Sequence, residues 1–423
     1  MAQVSKIFRP LTVAIVIATL LSGCGESSSS SAGAGYGDKN TTPPTKPDTT
    51  FNQTALLANL TDNVITPTYQ EFNSLAIAHQ QAVANYCTTE QSYDSSQSRD
   101  SVEALLSLAQ SSWQQTMDLW QQIEVMKLGP LITNSSILSS NIYSWPASNS
   151  CSIDQDTLYF AAGNINGTPY DISRRTPTRR GLDSLEYLLY NTSLEHSCSA
   201  TTPILESWAT MNSEQRRVTR CNFATEVSGD LVNNSQILLN QWLGDDGFAA
   251  NLKLAGSPGS TFATAHEGIN AISDALFYLD KMTKDQKLGT PLGICSNCPS
   301  GVAPQSVESA YSNNSINNLI NNIKGFQKIL LGQGTDANNS LGFDDFLVEQ
   351  QDSATSEVMT NQAQEAITHF ESFEQTLAQT LVSNPEKVEL AHVKVKAITD
   401  KLKTDFITSL ALELPETSAG DND

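Results

Sequence analysis

The stretch SVEALLSLAQSSWQQTMDLWQQIEVMKLGP, Ser101–Pro130, decides the fold class. Val102, Leu105, Leu106, Ala109, Trp113, Met117, Trp120 and Ile123 recur at intervals of three and four, which gathers them on one stripe of a helix. The spacing predicts a helix from about Arg99 to Leu128, stopped by Gly129-Pro130.

The same period runs outward in both directions. Leu56, Leu60 and Val64 mark a first helix, continued by Phe72, Ala76, His79, Val83 and Tyr86 beyond a kink expected at Pro67. Further helices are predicted near 204–243, 262–282, 303–331, 351–382 and 385–413. The last carries Val388, Ala391, Val395, Ile398, Leu402, Phe406 and Leu410 as a bundle-type seam. Sustained period-two alternation is nearly absent, so the body is expected to be all-α. Segments 129–180 and 283–302, rich in Gly, Pro, Asn and Ser, read as loops, and no fixed-period repeat is present.

At the N-terminus, Lys6 and Arg9 precede the apolar run LTVAIVIATLL, Leu11–Leu21. That run suits a secretory signal and falls short of the roughly 20 residues that cross a bilayer. Leu21-Ser22-Gly23-Cys24 resembles a bacterial lipobox, so residues 1–23 are expected to be removed and Cys24 lipidated, with Gly25 favouring an outer-membrane address facing the periplasm. Residues 24–50 are rich in Ser, Gly, Thr and Pro and too polar to bury a core; they read as a tether. The remainder exceeds the usual single-domain size. A division at 51–245 and 246–415, with a polar tail 416–423, is expected.

With 24 basic against 45 acidic residues the net charge is −21, which argues against a nucleic-acid partner. Of seven cysteines, lipidation of Cys24 leaves Cys87, Cys151, Cys198, Cys221, Cys295 and Cys298, an even number suited to disulfides in an oxidising compartment. Pairing of sequence neighbours would give Cys87–Cys151, Cys198–Cys221 and Cys295–Cys298.

Several familiar sites fail on single residues. HEGIN, His266–Asn270, lacks the second histidine of a zinc-protease helix and reads as surface. CSNCPS, Cys295–Ser300, has no histidine after the second cysteine and follows no strand, which leaves a loop disulfide over haem attachment or a redox dithiol. Glu389-x-x-His392 occurs once where a di-iron bundle needs it twice, and His369 with Glu365 reads as a solvated helix-face pair. No Gly-x-Ser-x-Gly elbow or phosphate-binding loop is present.

RRGLDSLEYLLYN, Arg179–Asn191, admits two readings. Asp183 and Glu186 lie three apart and would project from one helix face as a ligand pair. The same Asp183-x-x-Glu186 spacing fits a capping box, each side chain satisfying an orphan N–H of its own helix.

This segment resembles the imelysin-like family, whose signature is Gly-x-His-x-x-Glu. Gly181 and Glu186 match its ends, and Asp183 stands where the family has histidine. Collinear blocks extend the likeness: Asn63–Phe72, Ser111–Pro130, Asn141–Pro146 (NIYSWP) and Gln286–Gly293 (QKLGTPLG). The resemblance implies two helical-bundle-like domains in an exported or lipid-anchored bacterial protein. It also implies a link to iron acquisition, with envelope iron-uptake proteins as partners and insulin-cleaving peptidase as the label some members carry. By resemblance the ligand or metal candidates are Glu124, Asp183 and Glu186, with Trp145 nearby. Carboxylate in place of imidazole leaves an all-oxygen set suited to hard cations, so iron or calcium is expected over zinc. Arg174, Arg175, Arg179 or Arg180 could instead balance the acids, which would make the cluster structural. A binding protein is expected, with metal-dependent peptidase and envelope scaffold as the alternatives.

Overall fold

The computed structural model describes residues 50–200, 202–295, 298, 301–334 and 340–415. The signal segment, Cys24 and the tail 416–423 lie outside the described residues. The body is all-α, as its periodicity predicts, with one two-stranded hairpin, β1 (Asn164–Ile165) and β2 (Thr168–Pro169).

In chain order the helices are α1 (Gln53–Asn59), α2 (Thr66–Gln91), α3 (Asp100–Ile123), α4 (Thr133–Ile142), α5 (Ser150–Ala162), α6 (Gly181–Tyr190), α7 (Glu206–Thr210) and α8 (Ser213–Leu243). They continue as α9 (Phe248–Lys253), α10 (Ala265–Leu276), α11 (Thr290–Leu292), α12 (Ser315–Leu330), α13 (Phe343–Glu349), α14 (Ser353–Glu371), α15 (Leu377–Ser383), α16 (Pro385–Lys401) and α17 (Ile407–Ser409). Three π-helical segments interrupt them, at Leu60–Ile65, Leu279–Gly289 and Leu402–Phe406. The break expected at Pro67 is the first of these, with the proline in the opening turn of α2, where its missing N–H costs nothing.

The long helix α2 packs on α3 and α8; α6 closes against α8 and α3; α12 joins α3 to α14, which lies on α16. Trp113, Trp120 and Trp242 are fully buried, and one continuous apolar cluster runs from Leu56 to Leu412 through both halves. A small satellite of Leu158, Leu205 and Trp208 sits under the loop after α6.

Several boundaries differ from the pattern. The run 129–180, read as loop, contains α4 and α5, whose buried faces are partly polar (Ser139; Asp154, Asp156 and Thr157) and so carry no apolar period. Similarly, 283–292 is helical rather than loop, as the end of the second π-helical segment and α11. The helix expected from 204 starts at Ser213 under an Asn212/Gln215 capping box, and the one expected over 351–382 restarts at Leu377 under a Thr376/Gln379 capping box. The helix expected from 303 begins only at Ser315, because residues 308–314 turn back toward α6.

The cysteine pairing is a correction. Cys87 bonds Cys221 and Cys151 bonds Cys198, while Cys295–Cys298 is as expected. The reason is helix packing: α2 and α8 run antiparallel, bringing the end of one to the start of the other with Cα atoms 5.1 Å apart. His266 is also corrected. It is buried, with Nε2 on the Ala411 carbonyl at 2.8 Å, because α10 turns it inward beneath the C-terminal segment.

Candidate functional site

Helix α6 is buried from Gly181 to Leu189, so its polar side chains must find partners inside the protein. It can enter the core only because Gly181 has φ +77° and no Cβ; an added Cβ would stand 2.5 Å from the Ile142 carbonyl oxygen. The preceding Arg180 is drawn away to Asp230 and to the carbonyls of Ile172 and Ser173.

Asp183 and Glu186 do not form the capping box. Asp183 Oδ2 accepts the Ser144 N–H at 2.6 Å and the Ser144 hydroxyl at 2.9 Å. Glu186 Oε1 accepts the Tyr311 N–H at 3.0 Å, the Ser312 N–H at 2.8 Å and the Ser312 hydroxyl at 2.9 Å. Both carboxyls point sideways out of the helix because the ends of α4 and of the 308–314 turn offer them better-placed donors than their own first turn.

The arginines do not balance them. Arg175 and Arg179 bind Asp156, Arg180 binds Asp230, and Arg174 closes a turn outside the pair. A third acid, Glu308, lies close enough to repel both carboxyls. It accepts from the Tyr143 hydroxyl at 2.7 Å and from Gln121 at 3.2 Å, and it pairs with Lys287 at 3.1 Å. Lys287 also donates to Gln121 and, at 2.8 Å, to Asn322, and both ends of the pair are about 1 % exposed. Glu308 Oε2 is buried without a hydrogen-bond partner among the described residues.

Glu124 has a counter-ion of its own. Its carboxylate pairs with Lys127 at 2.6 Å, and Lys127 lies over the Tyr278 ring at 5.3 Å, the same ring that Lys287 approaches at 5.3 Å. Glu124 and Glu308 are thus each paired with a lysine, and both lysines approach the Tyr278 ring. Trp145 follows Ser144 and packs half-buried against the core. Of the candidates, then, the fold brings Asp183 and Glu186 together and sets Trp145 beside the serine that holds Asp183. Glu308 and Tyr143 were not legible as site residues; Lys287 lies in QKLGTPLG and Tyr143 in NIYSWP, whose likeness to a family was the available signal.

Burial pushes the Asp183 carboxyl up to about 7 against the pull of the Ser144 donors, with repulsion from Glu186 and Glu308 adding to the rise. Burial likewise takes Glu186 to about 7, against the donors of Ser312 and Tyr311 and with Glu308 adding to the rise. Burial first, then the three carboxyls, hold the Tyr143 hydroxyl well above its ordinary range.

A pH prediction follows. Both folded-state values lie above the usual carboxyl range, so the native state binds more protons than the unfolded chain between about pH 4 and pH 7. These two groups therefore destabilise the fold increasingly as pH rises through that window, and no further above it. Asp183→Asn should flatten the loss between about pH 4 and pH 7 and raise the melting temperature at the upper end. Melts of both proteins across that range test it; an unchanged slope would mean Asp183 is ionised throughout.

Among the described residues no three His, Cys, Asp or Glu side chains gather into a group able to hold a metal ion. The oxygens that accept the Ser144, Tyr311 and Ser312 donors are spoken for, leaving Asp183 Oδ1 and Glu186 Oε2. Glu124, Asp183 and Glu186 therefore do not fit a resident, fully protein-ligated metal as they stand. Two carboxyl oxygens suit a cation that keeps most of its own shell, or a ligand that brings donors.

Comparison with known proteins is consistent with this architecture. The imelysin family's sequence profile matches residues 65–404. Iron-regulated protein A of Synechococcus elongatus is 25% identical over 290 residues, 67% of each chain. A crystal structure described as an iron-regulated protein A precursor from Parabacteroides distasonis superposes with a TM-score of 0.63 at 17% identity, over 86% of this chain and 98% of that one. An imelysin-like protein from Psychrobacter arcticum gives 0.58 at 13% identity, over 87% and 99%.

Proposed function

Since the chain belongs to the imelysin family, we propose that it is a binding protein of the bacterial envelope serving iron uptake, with the Asp183–Glu186 pair as its ligand site. The observation that carries the reading is a pair of buried carboxyls, each gripped through one oxygen by a serine, with Lys287 engaged by a third acid rather than by them. Such a pair is short of positive charge and of donors, which a ligand would supply. The link to iron rests on similarity to proteins described as iron-regulated.

Wild type, Asp183→Asn and Asp183→His are compared in thermal melts with calcium, ferric iron and zinc. A cation-induced rise in wild type that Asp183→Asn loses is the expected result, and Asp183→His should move the preference toward zinc. Equal shifts in wild type and Asp183→Asn would remove the pair from the binding site, and no shift with any of the three would refute a cation as ligand.

Metal-dependent peptidase activity has one observation in its favour: carboxyls held near 7 suit general acid–base work. Cleavage of unfolded casein that Asp183→Asn abolishes would establish it. Attachment is assigned to lipid on Cys24, facing the periplasm. Cys24→Ser should leave the protein soluble, because acyl chains contribute about 0.8 kcal/mol per buried CH₂; retention of the variant on salt-washed membranes would refute the anchor.

A further inference from the structure

A cavity of about 420 Å³ opens where α8 ends, far along the chain from the acid pair. Its lining includes Gly129 and Pro130 from the turn after α3, Asp245, Asp246 and Phe248 at the start of α9, and Thr261. Phe248 is an aromatic wall held rigidly. It packs edge-on to Phe262 at 6.0 Å and tilted against the buried Trp242 at 5.8 Å. Gly129 makes room for the ring: with φ +46° it lacks the Cβ that would stand 2.4 Å from Phe248 Cγ. The opposite wall is fixed by Asn251, whose side chain accepts the Thr261 N–H at 2.7 Å and donates to the Thr261 hydroxyl at 2.8 Å.

Charge at the mouth is one-signed. Asp245 and Asp246 are exposed, and the basic residue of α9, Lys253, is taken by Asp62 at 2.8 Å. Exposed Leu254 lines the cavity, and exposed Leu243 precedes the acidic turn, so apolar surface flanks the carboxylates. An aromatic ring in the lining beside carboxylates, with apolar surface next to both, is the chemistry that holds an organic cation: the two charges attract the head group, and the ring and the apolar rim take the stem.

We infer that this cavity is a binding site for an ammonium group on an apolar stem, separate from the Asp183–Glu186 pair. The source is either a free amine or a lysine side chain of another protein, which share this chemistry.

The test is calorimetric titration of the whole mature protein with cadaverine, with the matching uncharged pentane diol, and with N-acetyl-lysine amide. Saturable one-to-one binding of cadaverine and none of the diol is expected. The Asp245→Asn/Asp246→Asn protein should bind about tenfold more weakly through loss of two attractive charges, and Phe248→Leu about threefold more weakly through loss of the ring. Asp183→Asn should bind as wild type. Binding of the lysine amide as tight as that of cadaverine would assign the site to protein-borne lysine, and preference for cadaverine to a free amine. Absence of saturable cadaverine binding overturns the inference. So does an unchanged affinity in the Asp245→Asn/Asp246→Asn protein, and so does loss of binding in Asp183→Asn, which would move the cation to the other site.

Discussion

Lys287→Ala is expected to lower the unfolding free energy by about 3–5 kcal/mol, because removing one partner of a buried ion pair strands the other. Lys287 and Glu308 are each about 1 % exposed, and Glu308 already has one oxygen without a hydrogen bond, so bulk water cannot readily replace the lysine. The Tyr143 hydroxyl and Gln121 would then face an uncompensated carboxylate beside Asp183 and Glu186, and repulsion within the cluster would rise. The double substitution Lys287→Met with Glu308→Gln removes both charges at similar volume and should recover most of the loss. Urea denaturation of the three proteins measures this. A Lys287→Ala loss below about 1 kcal/mol would show that the pair is not what holds this part of the core together.

Gly181→Ala should be comparably damaging, and through backbone rather than charge. At φ +77° any side chain costs about 1–3 kcal/mol, and forcing a methyl into a filled space adds about 1–3 kcal/mol more. The methyl would stand 2.5 Å from the Ile142 oxygen and 2.6 Å from the Asn141 oxygen, both backbone atoms that cannot rotate aside. Relief requires α6 to withdraw from the end of α4, and that same end carries Ser144, the donor to Asp183. The variant should therefore lose stability and shift the Asp183 titration together. A denaturation midpoint within error of wild type would show that α4 yields easily, and would remove the steric account of why glycine stands here.

The fold class was legible because a period of three to four is a local property, written in Ser101–Pro130 as plainly as anywhere. Helix starts at Ser213 and Leu377 were legible too, in Asn212-x-x-Gln215 and Thr376-x-x-Gln379, yet apolar periodicity across them masked the breaks. Asp183 and Glu186 stood out, whereas what they bind did not. Ser144 is 39 residues away in NIYSWP and Ser312 is 126 residues away in a polar turn, and neither stretch marks its serine as a partner of α6. A capping box needs only its own four residues, so it is the natural local reading; the tertiary donors that override it are nonlocal. Glu308 is the extreme case, an ordinary glutamate in SVESAYSNNS made part of the cluster solely by the turn that carries it. The cysteines follow the same logic, since their pairing is set by which helices lie side by side.

That pairing has a consequence for the molecule as a covalent graph. The bond Cys151–Cys198 lies wholly inside the ring closed by Cys87–Cys221, like one bracket within another, and the Cys295–Cys298 bond lies outside both. Neither ring crosses the other, so the inner can close before the outer without threading. A single peptide-bond cut between residues 87 and 221 leaves the whole chain in one piece, including the segment that carries Gly181, Asp183 and Glu186. A cut between 221 and 295 divides it in two. Nicking between Cys87 and Cys221 is thus invisible on a non-reducing gel and appears only once thiol is added, while the linkage to the C-terminal half has no such second fastening.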